Sequence, residues 1–470
     1  MAAIYCGIDF GTSNSSVALS DGTRVKVLDL DPENDIPTSL PSLVYITRQG
    51  ETIVGRAAAN AFIDRNVDRE VVLRQVDLGI AIEAYVASEP DKSETYRPGV
   101  LDPEIREAVR ARAVVEVNSP GRLFQSLKTL LRLSSFRGTE VFGIQYQIEE
   151  LVAVILQRLK ASAEAAAGQT IERAVFGRPV RFSERDEENA IAERRLRTAA
   201  QLAGFREVVF FYEPVGACVE YAMSNDQSQR LMVVDIGGGT CDVCIMEFGS
   251  AHGTAERLAE SRILSVAGVP VAGDAIDREI IRSKLFPVFG SRARYGPAQL
   301  PMPQYLYNQI LDWQNLYKLN NEETINWLLA AEASCNQPET LCALRSLIQR
   351  NFGYPVAREV EAAKKRLSTL HETDIEFQMD NIHIREHIER TEFADIIEHT
   401  LERMLCSIEE AESRAGMGPE DVDFVLTTGG TSLIPAVQAM LSRRFGPDRI
   451  KQRDTFTSVA SGLAIVAQSA

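Results

Sequence analysis

Residues 4–18 read IYCGIDFGTSNSSVA, and residues 231–246 read LMVVDIGGGTCDVCIM. Each is an apolar run that ends in Asp, passes a turn of Gly, Ser and Thr, and resumes as a second apolar run. The aspartates, Asp9 and Asp235, lie close to half of the 470-residue chain apart. Small turn residues let successive backbone N–H groups approach an anion and point at it, which makes a nest for phosphate. The Asp carboxylate cannot touch phosphate directly. Its fitting role is to hold Mg²⁺ through water, because that ion keeps several of its waters. One such hairpin reads equally well as a plain tight turn. Two of them, facing each other, would grip the β- and γ-phosphates of one nucleotide from both sides.

A third element follows the run VDFVLT: TTGGTSLIPAVQAML at 427–441. A strand here enters a glycine pair and then a helix. Gly429 and Gly430 let the backbone lie flat against a nucleoside, with the helix N-terminus beside it. The competing phosphate motifs, GxxxxGK[ST] and a GxGxxG between strand and helix, do not occur.

Between these elements the pattern alternates. A helix is expected over 149–167 with Gly168 as its stop, a strand over 173–177, a charged helix around 185–203 ended by Gly204, and a strand over 207–213. Such alternation predicts α/β layering. Two lobes are expected, 1–224 completed by a tail helix at 454–470, and 225–453. Two stretches look added to this plan. Residues 56–118 are highly charged and carry the breaker run SEPDKSETYRPG. Residues 284–350 are aromatic-rich, with Trp313, Tyr317, Trp327, Leu328 and Leu329 as a stripe at helical spacing. The plainer reading of that stripe is the core of an enlarged subdomain.

Composition narrows the classes. A chain of this length is too long for one core. Fifty basic and 66 acidic side chains give a formal charge of −16, which repels nucleic acid and anionic membrane. The start, MAAIYCGIDF, lacks the basic and apolar regions of a signal peptide, and no apolar run approaches the ~18 residues that span a bilayer. Seven scattered cysteines read as reduced thiols in the cytoplasm. Cys241 and Cys244 form a CxxC, but in a strand their odd separation puts them on opposite faces, as buried thiols. His383 and His387, in HIREH, have the spacing of a zinc pair. Ile384 stands where the metalloprotease motif needs Glu, so a plain helix surface is expected.

The four stretches GIDFGTSNS, VVDIGGGTCDV, FFYEPVGACVEY and TTGGTSLIP resemble the phosphate-1, phosphate-2, connecting and adenosine motifs of the actin-like ATPase superfamily, in that order. Within it they are most similar to the seventy-kilodalton heat-shock chaperones. The resemblance implies an α/β fold of two lobes, each built on a ribonuclease H-like sheet with flanking helices, and a nucleotide cleft between them.

It also implies site residues. Gly11, Thr12, Ser13 and Asn14 would line the first phosphate turn, and Gly237, Gly238, Gly239 and Thr240 the second. Asp9 and Asp235 would hold Mg²⁺ through water. LFQSLKTLL resembles the segment with the family's phosphate-contacting lysine, here Lys128. Glu213 and Asp242 match the acids that orient the attacking water, and with Lys128 and Thr240 they complete the implied catalytic set. VEAAKKRLSTL resembles the adenine-contacting helix, which places Glu361, Lys364, Lys365 and Ser368 around base and ribose. Gly273, in AGDAID, and Gly429, Gly430 and Thr431 complete the nucleotide set.

Three departures stand out. Leu433 occupies the place of an Arg that stacks on adenine, Phe456 replaces an expected acid near the last helix, and Pro270 lies in a shortened segment. The family's peptide-binding domain and lid are not among these 470 residues, so only the nucleotide-binding part is expected.

The implied function is that of a chaperone-type protein that binds Mg-ATP, hydrolyses it slowly and closes its lobes on it. Its ligands are ATP or ADP and Mg²⁺, with a protein client or co-chaperone as partner and neither nucleic acid nor membrane. One alternative is a small-molecule kinase, which needs a catalytic Asp and an acceptor pocket. Another is a nucleotide-dependent scaffold or filament, whose longitudinal contacts the added stretches would obstruct.

Overall fold

Two mixed sheets with the same strand plan carry the chain in its computed structural model. Residues 3–69, 71–85, 106–222, 228–249, 260–452 and 457–468 are described. In the first sheet the neighbours run Glu207–Tyr212, Arg173–Arg178, Tyr5–Phe10, Asn14–Ser20, Val25–Val27. The first three are parallel, and the last two are added antiparallel as hairpins. In the second the order is Ile450–Gln452, Phe424–Thr428, Gln229–Ile236, Cys241–Phe248, Arg262–Val269. Again three parallel strands are followed by two antiparallel ones.

The two quoted hairpins therefore hold equivalent places. Each leading strand is central in its sheet, and its Asp is the last residue but one. Asp9 pairs across the hairpin with Ser16, and Asp235 with Asp242. Central strands are covered on both faces, which is why they read as unbroken apolar runs. In the second sheet Met232, Val234 and Cys241 face one apolar cluster, while Leu231, Val233 and Cys244 face another. The two CxxC thiols thus sit on opposite faces, both buried and unbridged.

Two helices tie the sheets together. Glu213–Ala222 and Ser458–Val466 pack so closely that a Cβ on Gly462 would overlap the Gly216 carbonyl, and one on Gly7 would overlap the backbone of Ala464. Their Val215, Val219 and Leu463 share a cluster with Val175 of the first sheet and Leu231, Val233 and Leu426 of the second. The expected tail helix is thereby wedged against the strand Tyr5–Phe10. The helix Ile148–Ala167 covers another face of the first sheet through Leu151, Val152, Ile155 and Leu159. It stops at Gly168, whose φ of 65° suits glycine and whose N–H donates to Glu164 O at 2.9 Å.

The stretch 284–350 is not one helical stripe. A 3₁₀ turn, Trp313–Leu319, is followed by a new helix, Glu322–Ser334, capped where the Asn321 side chain accepts the Thr324 N–H. Leu316 and Leu328 enter the core, whereas Leu329 faces solvent. In 56–118 a helix, Arg56–Asn66, precedes the paired strands Leu73–Tyr85 and Arg106–Glu116. The breaker run between those strands, and Phe456, lie outside the described residues.

One expectation is corrected. HIREH lies in a strand, Ile382–Glu389, paired with Glu372–Met379. Ile382, Ile384 and Ile388 point inward and the two histidines outward, so the period of two overrode the i,i+4 spacing.

Between the halves, Phe62 of Arg56–Asn66 meets Trp313 and Tyr354, with ring centroids 5.7 and 5.4 Å away. Beside this junction Asp68 N–H donates to Arg350 O at 3.0 Å, and Asn351 Nδ2 donates to Asn66 O at 3.2 Å.

Candidate functional site

The two glycine turns meet. A Cβ on Gly238 would overlap Ser13 Oγ, and one on Gly239 would stand 2.6 Å from Thr12 Oγ1. A side chain at either place would have to displace the Ser13 or Thr12 hydroxyl that now fills the space. Gly11 is under the same constraint, since its Cβ would overlap Asn14 O. A neighbouring segment braces the first turn: Ser42 Oγ donates to Gly11 O at 2.9 Å, and Ser42 N–H donates to Ser13 O at 2.9 Å.

The second turn is braced from two other directions. Gly273 N–H donates to Gly237 O at 3.2 Å, and Asp274 N–H to Gly238 O at 2.8 Å. Thr431 Oγ1 donates to Gly237 O at 2.7 Å, which ties the third glycine element to the second. Gly429, with φ 80°, would place a Cβ 2.8 Å from Asp235 Oδ1, so only glycine suits this approach.

A cavity of about 450 Å³ runs along these turns. Asp9 and the first turn, Gly11, Thr12, Ser13 and Asn14, form one wall. Asp235 and the second, Gly237 to Thr240, form the facing one. Lys128 and Glu213 close one end, while Gly273, Glu361, Lys364, Lys365 and Ser368 line the other, with Gly429, Gly430, Thr431 and Leu433 beside them.

Of the site residues that the resemblance implies, Asp242 alone does not line the cavity. It is buried behind the second turn, where its Oδ1 accepts the Val180 N–H at 2.6 Å.

The electrostatics of the closed end are lopsided. Lys128 Nζ donates to Glu213 Oε1 at 2.6 Å. Burial alone would drive the lysine's pKa down, but the carboxylates of Glu213, Asp9 and Asp242 outweigh it and hold the ammonium above its usual range. Burial, then the Glu213 charge, push Asp9 and Asp242 up to about 7. Asp235 is raised well above the carboxylate range by burial and by Glu213, Asp9 and Asp242. Four acids thus share one cation, and a bound divalent cation would relieve that imbalance.

At the opposite end the charges are paired. Lys364 Nζ donates to Asp277 Oδ2 at 2.7 Å and to Gly273 O at 3.2 Å. Lys365 lies 2.7 Å from Glu361 and is largely exposed. Burial favours the neutral acid at Glu361, yet Lys365 and Lys364 overcome it and hold its pKa below the usual range.

Sequence reading missed several lining residues. Gln125, Asp274 and Asp277 line the cavity, and only the AGDAID resemblance hinted at the last two. Asn34, Asp35, Ile36 and Ser39 reach it from a loop held by an Asn34 Nδ2 to Ser39 O bond of 2.8 Å. Nothing in the run ENDIPTS signals that reach.

In comparison with known families, the model described as Hsp70 protein fits residues 133–262 and 352–469, together more than half of the chain. The matched segments include the second phosphate turn, the glycine pair at 429–430 and the tail helix. The first turn and Lys128 precede them.

Proposed function

The chain belongs to the Hsp70 family, and from that premise we propose that it binds Mg-ATP in the cleft between its two sheets and hydrolyses it slowly. Its fold is that of the actin-like ATPases, α/β throughout, with a duplicated sheet. As a member of this family it is a chaperone-type ATP-binding protein.

The observation that carries the proposal is the interlock of Ser13 with Gly238 and of Thr12 with Gly239 in one cavity. Two glycine turns on different sheets thereby border one small volume, where a β,γ-phosphate pair would fit against their backbone. Both turns can hold one nucleotide only while the cleft is shut, so ATP favours the closed form.

Among the described residues no three His, Cys, Asp or Glu side chains gather as direct metal ligands. Asp9 and Asp235, which line the cavity at the two turns, would hold Mg²⁺ through water, the manner this ion prefers. Mg²⁺, when bound, supplies charge neutralisation of the phosphate oxygens. Lys128 supplies the fixed cation beside the γ-phosphate, and Glu213, bonded to it, aligns the attacking water. Thr240 closes the turn, and Asp242 holds the Val180 segment. Gly273, Glu361, Lys364, Lys365 and Ser368 take ribose and base, with Leu433 as an apolar wall.

The lobes are 1–224 and 225–453, and the tail helix Ser458–Val466 returns to the first. Partners are a protein client or co-chaperone, and the seven unbridged thiols favour the cytoplasm. No helix among the described residues is long and apolar enough to cross a membrane. The test is turnover of ATP by the purified chain with no second substrate. Steady phosphate release supports the proposal, and nucleotide bound without any release removes its hydrolytic half.

A further inference from the structure

A second cavity, of about 350 Å³, adjoins the nucleotide cavity and has no part in the reading above. The two share Gln125, Gly238, Gly239, Asp274, Asp277 and Glu361 as a common wall. From there the second cavity runs to Trp313 and Tyr354, under the aromatic junction between the halves. Its volume is at the lower end of the range for small-molecule sites.

Three features of its wall describe a ligand. The first is hydrogen-bonding demand. Gln125 Oε1 and Asp277 Oδ1 are buried acceptors with no partner in the protein. The other Asp277 oxygen is already taken by Lys364, so the open one asks for a neutral donor rather than another cation. The second is charge. Asp274, Asp277, Asp312 and Glu361 are balanced by Arg132, Arg278, Arg358 and the Lys364 bonded to Asp277, which gives no net pull on an anion or a cation.

The third is shape. Trp313 gives the wall a large apolar side chain, and Gly353, where an added Cβ would stand 3.1 Å from Trp313 Cβ, lets that residue lie close to the helix Gly353–Leu367. At the near end Ser126 is held with φ 55°, a left-handed conformation unusual for serine, with its Oγ 3.4 Å from Asp274 Oδ2.

We propose that this cavity binds a small, neutral, hydroxyl-rich molecule of the monosaccharide or polyol class. Gln125 and Asp277 accept its hydroxyls, and Trp313 packs on its carbon face. Asp274 links the site to the phosphate turn, because its N–H is bonded to Gly238 O.

Fluorescence titration of the whole chain tests this. With Trp327→Phe, Trp313 is the remaining tryptophan of the two and reports on the cavity directly. The probes are glucose, ribose, glycerol and myo-inositol, with gluconate and glucosamine as charged counterparts. A saturable change with at least one neutral probe is expected, weakened about tenfold by Ala275→Leu and by Ala357→Leu. These substitutions fill the cavity from two different helices, so if one fails to fold the other still decides. ADP binding, measured separately, stays unchanged in the folded variants. Three results overturn the proposal: no saturable change with any neutral probe, binding by the charged probes alone, or full binding retained in a folded, filled variant.

Discussion

Lys128 and Glu213 meet at 2.6 Å, both nearly buried, one on the short helix Leu127–Leu130 and the other opening Glu213–Ala222. With Asp9, Asp235 and Asp242 nearby, this lysine is the cation on which the closed end of the cleft depends. Its loss removes a positive charge from the place where phosphate charge shifts during transfer. Lys128→Ala is therefore expected to slow ATP turnover by roughly 10²–10³-fold with nucleotide still bound. Asp9→Asn should instead weaken Mg²⁺-dependent binding. Equal turnover in the parent and Lys128→Ala would reject the role given to the lysine.

The glycine turns offer a steric comparison. Around Gly237 nothing lies within 4 Å of an added Cβ, whereas Gly239 faces Thr12 Oγ1 at 2.6 Å. Gly239→Ala should lower ADP affinity by about tenfold or more, and Gly237→Ala should leave it nearly intact, as read by calorimetry. Equal effects at both positions would mean that the turns do not interlock in solution.

Leu433 lines the nucleotide cavity as an aliphatic side chain, without the planar cation that stacks on a base. The parent should separate ATP from GTP weakly, and Leu433→Arg should widen the gap by a few-fold to about tenfold. Competition binding reads both values. A strong ATP preference in the parent would transfer base recognition to Lys364 or Lys365.

A titration effect is expected far from the cleft. The Asp374 carboxylate accepts a hydrogen bond from His387 Nδ1 at 2.8 Å, and this raises the histidine above its ordinary value of 6.5. The folded state then holds the proton more tightly than the unfolded one. The stabilisation is complete below about pH 6.5 and fades as pH rises through the folded value. NMR titration should show the His387 midpoint falling in Asp374→Asn, and an unmoved midpoint would refute the pairing.

The tail helix depends on glycine contact. A Cβ on Gly462 would overlap Gly216 O and come within 2.9 Å of its Cα, both backbone atoms that cannot swing aside. Gly462→Ala should cost about 1–3 kcal/mol or more, seen as a lower melting temperature. A melting temperature equal to the parent's would show that the helix is not wedged there.

Much of this was legible because local chemistry and tertiary place coincide. Asp9 and Asp235 end buried strands, so their apolar flanks and glycine turns appear together in the sequence. The helix stop at Gly168 and the opposite faces of Cys241 and Cys244 follow from single-residue rules in the same way. What escaped notice depends on packing between distant segments. Gln125 and the Asn34–Ser39 loop reach the cavity only once the sheets are assembled, and no local pattern announces it. Asp242 looked like a cleft residue from its place after the turn, but its carboxylate is bonded to Val180 behind it. At HIREH two periodicities competed, and the inward isoleucines decided for the strand.

The central claim is that the two turns clamp one Mg-nucleotide. Isothermal titration of the chain with ADP and with a non-hydrolysable ATP analogue, each with and without Mg²⁺, measures it directly. The account predicts one nucleotide per chain, tighter binding with Mg²⁺ than without, and loss of that Mg²⁺ dependence in Asp9→Asn. Absence of binding by a folded chain, or binding that is indifferent to both Mg²⁺ and Asp9, would contradict it.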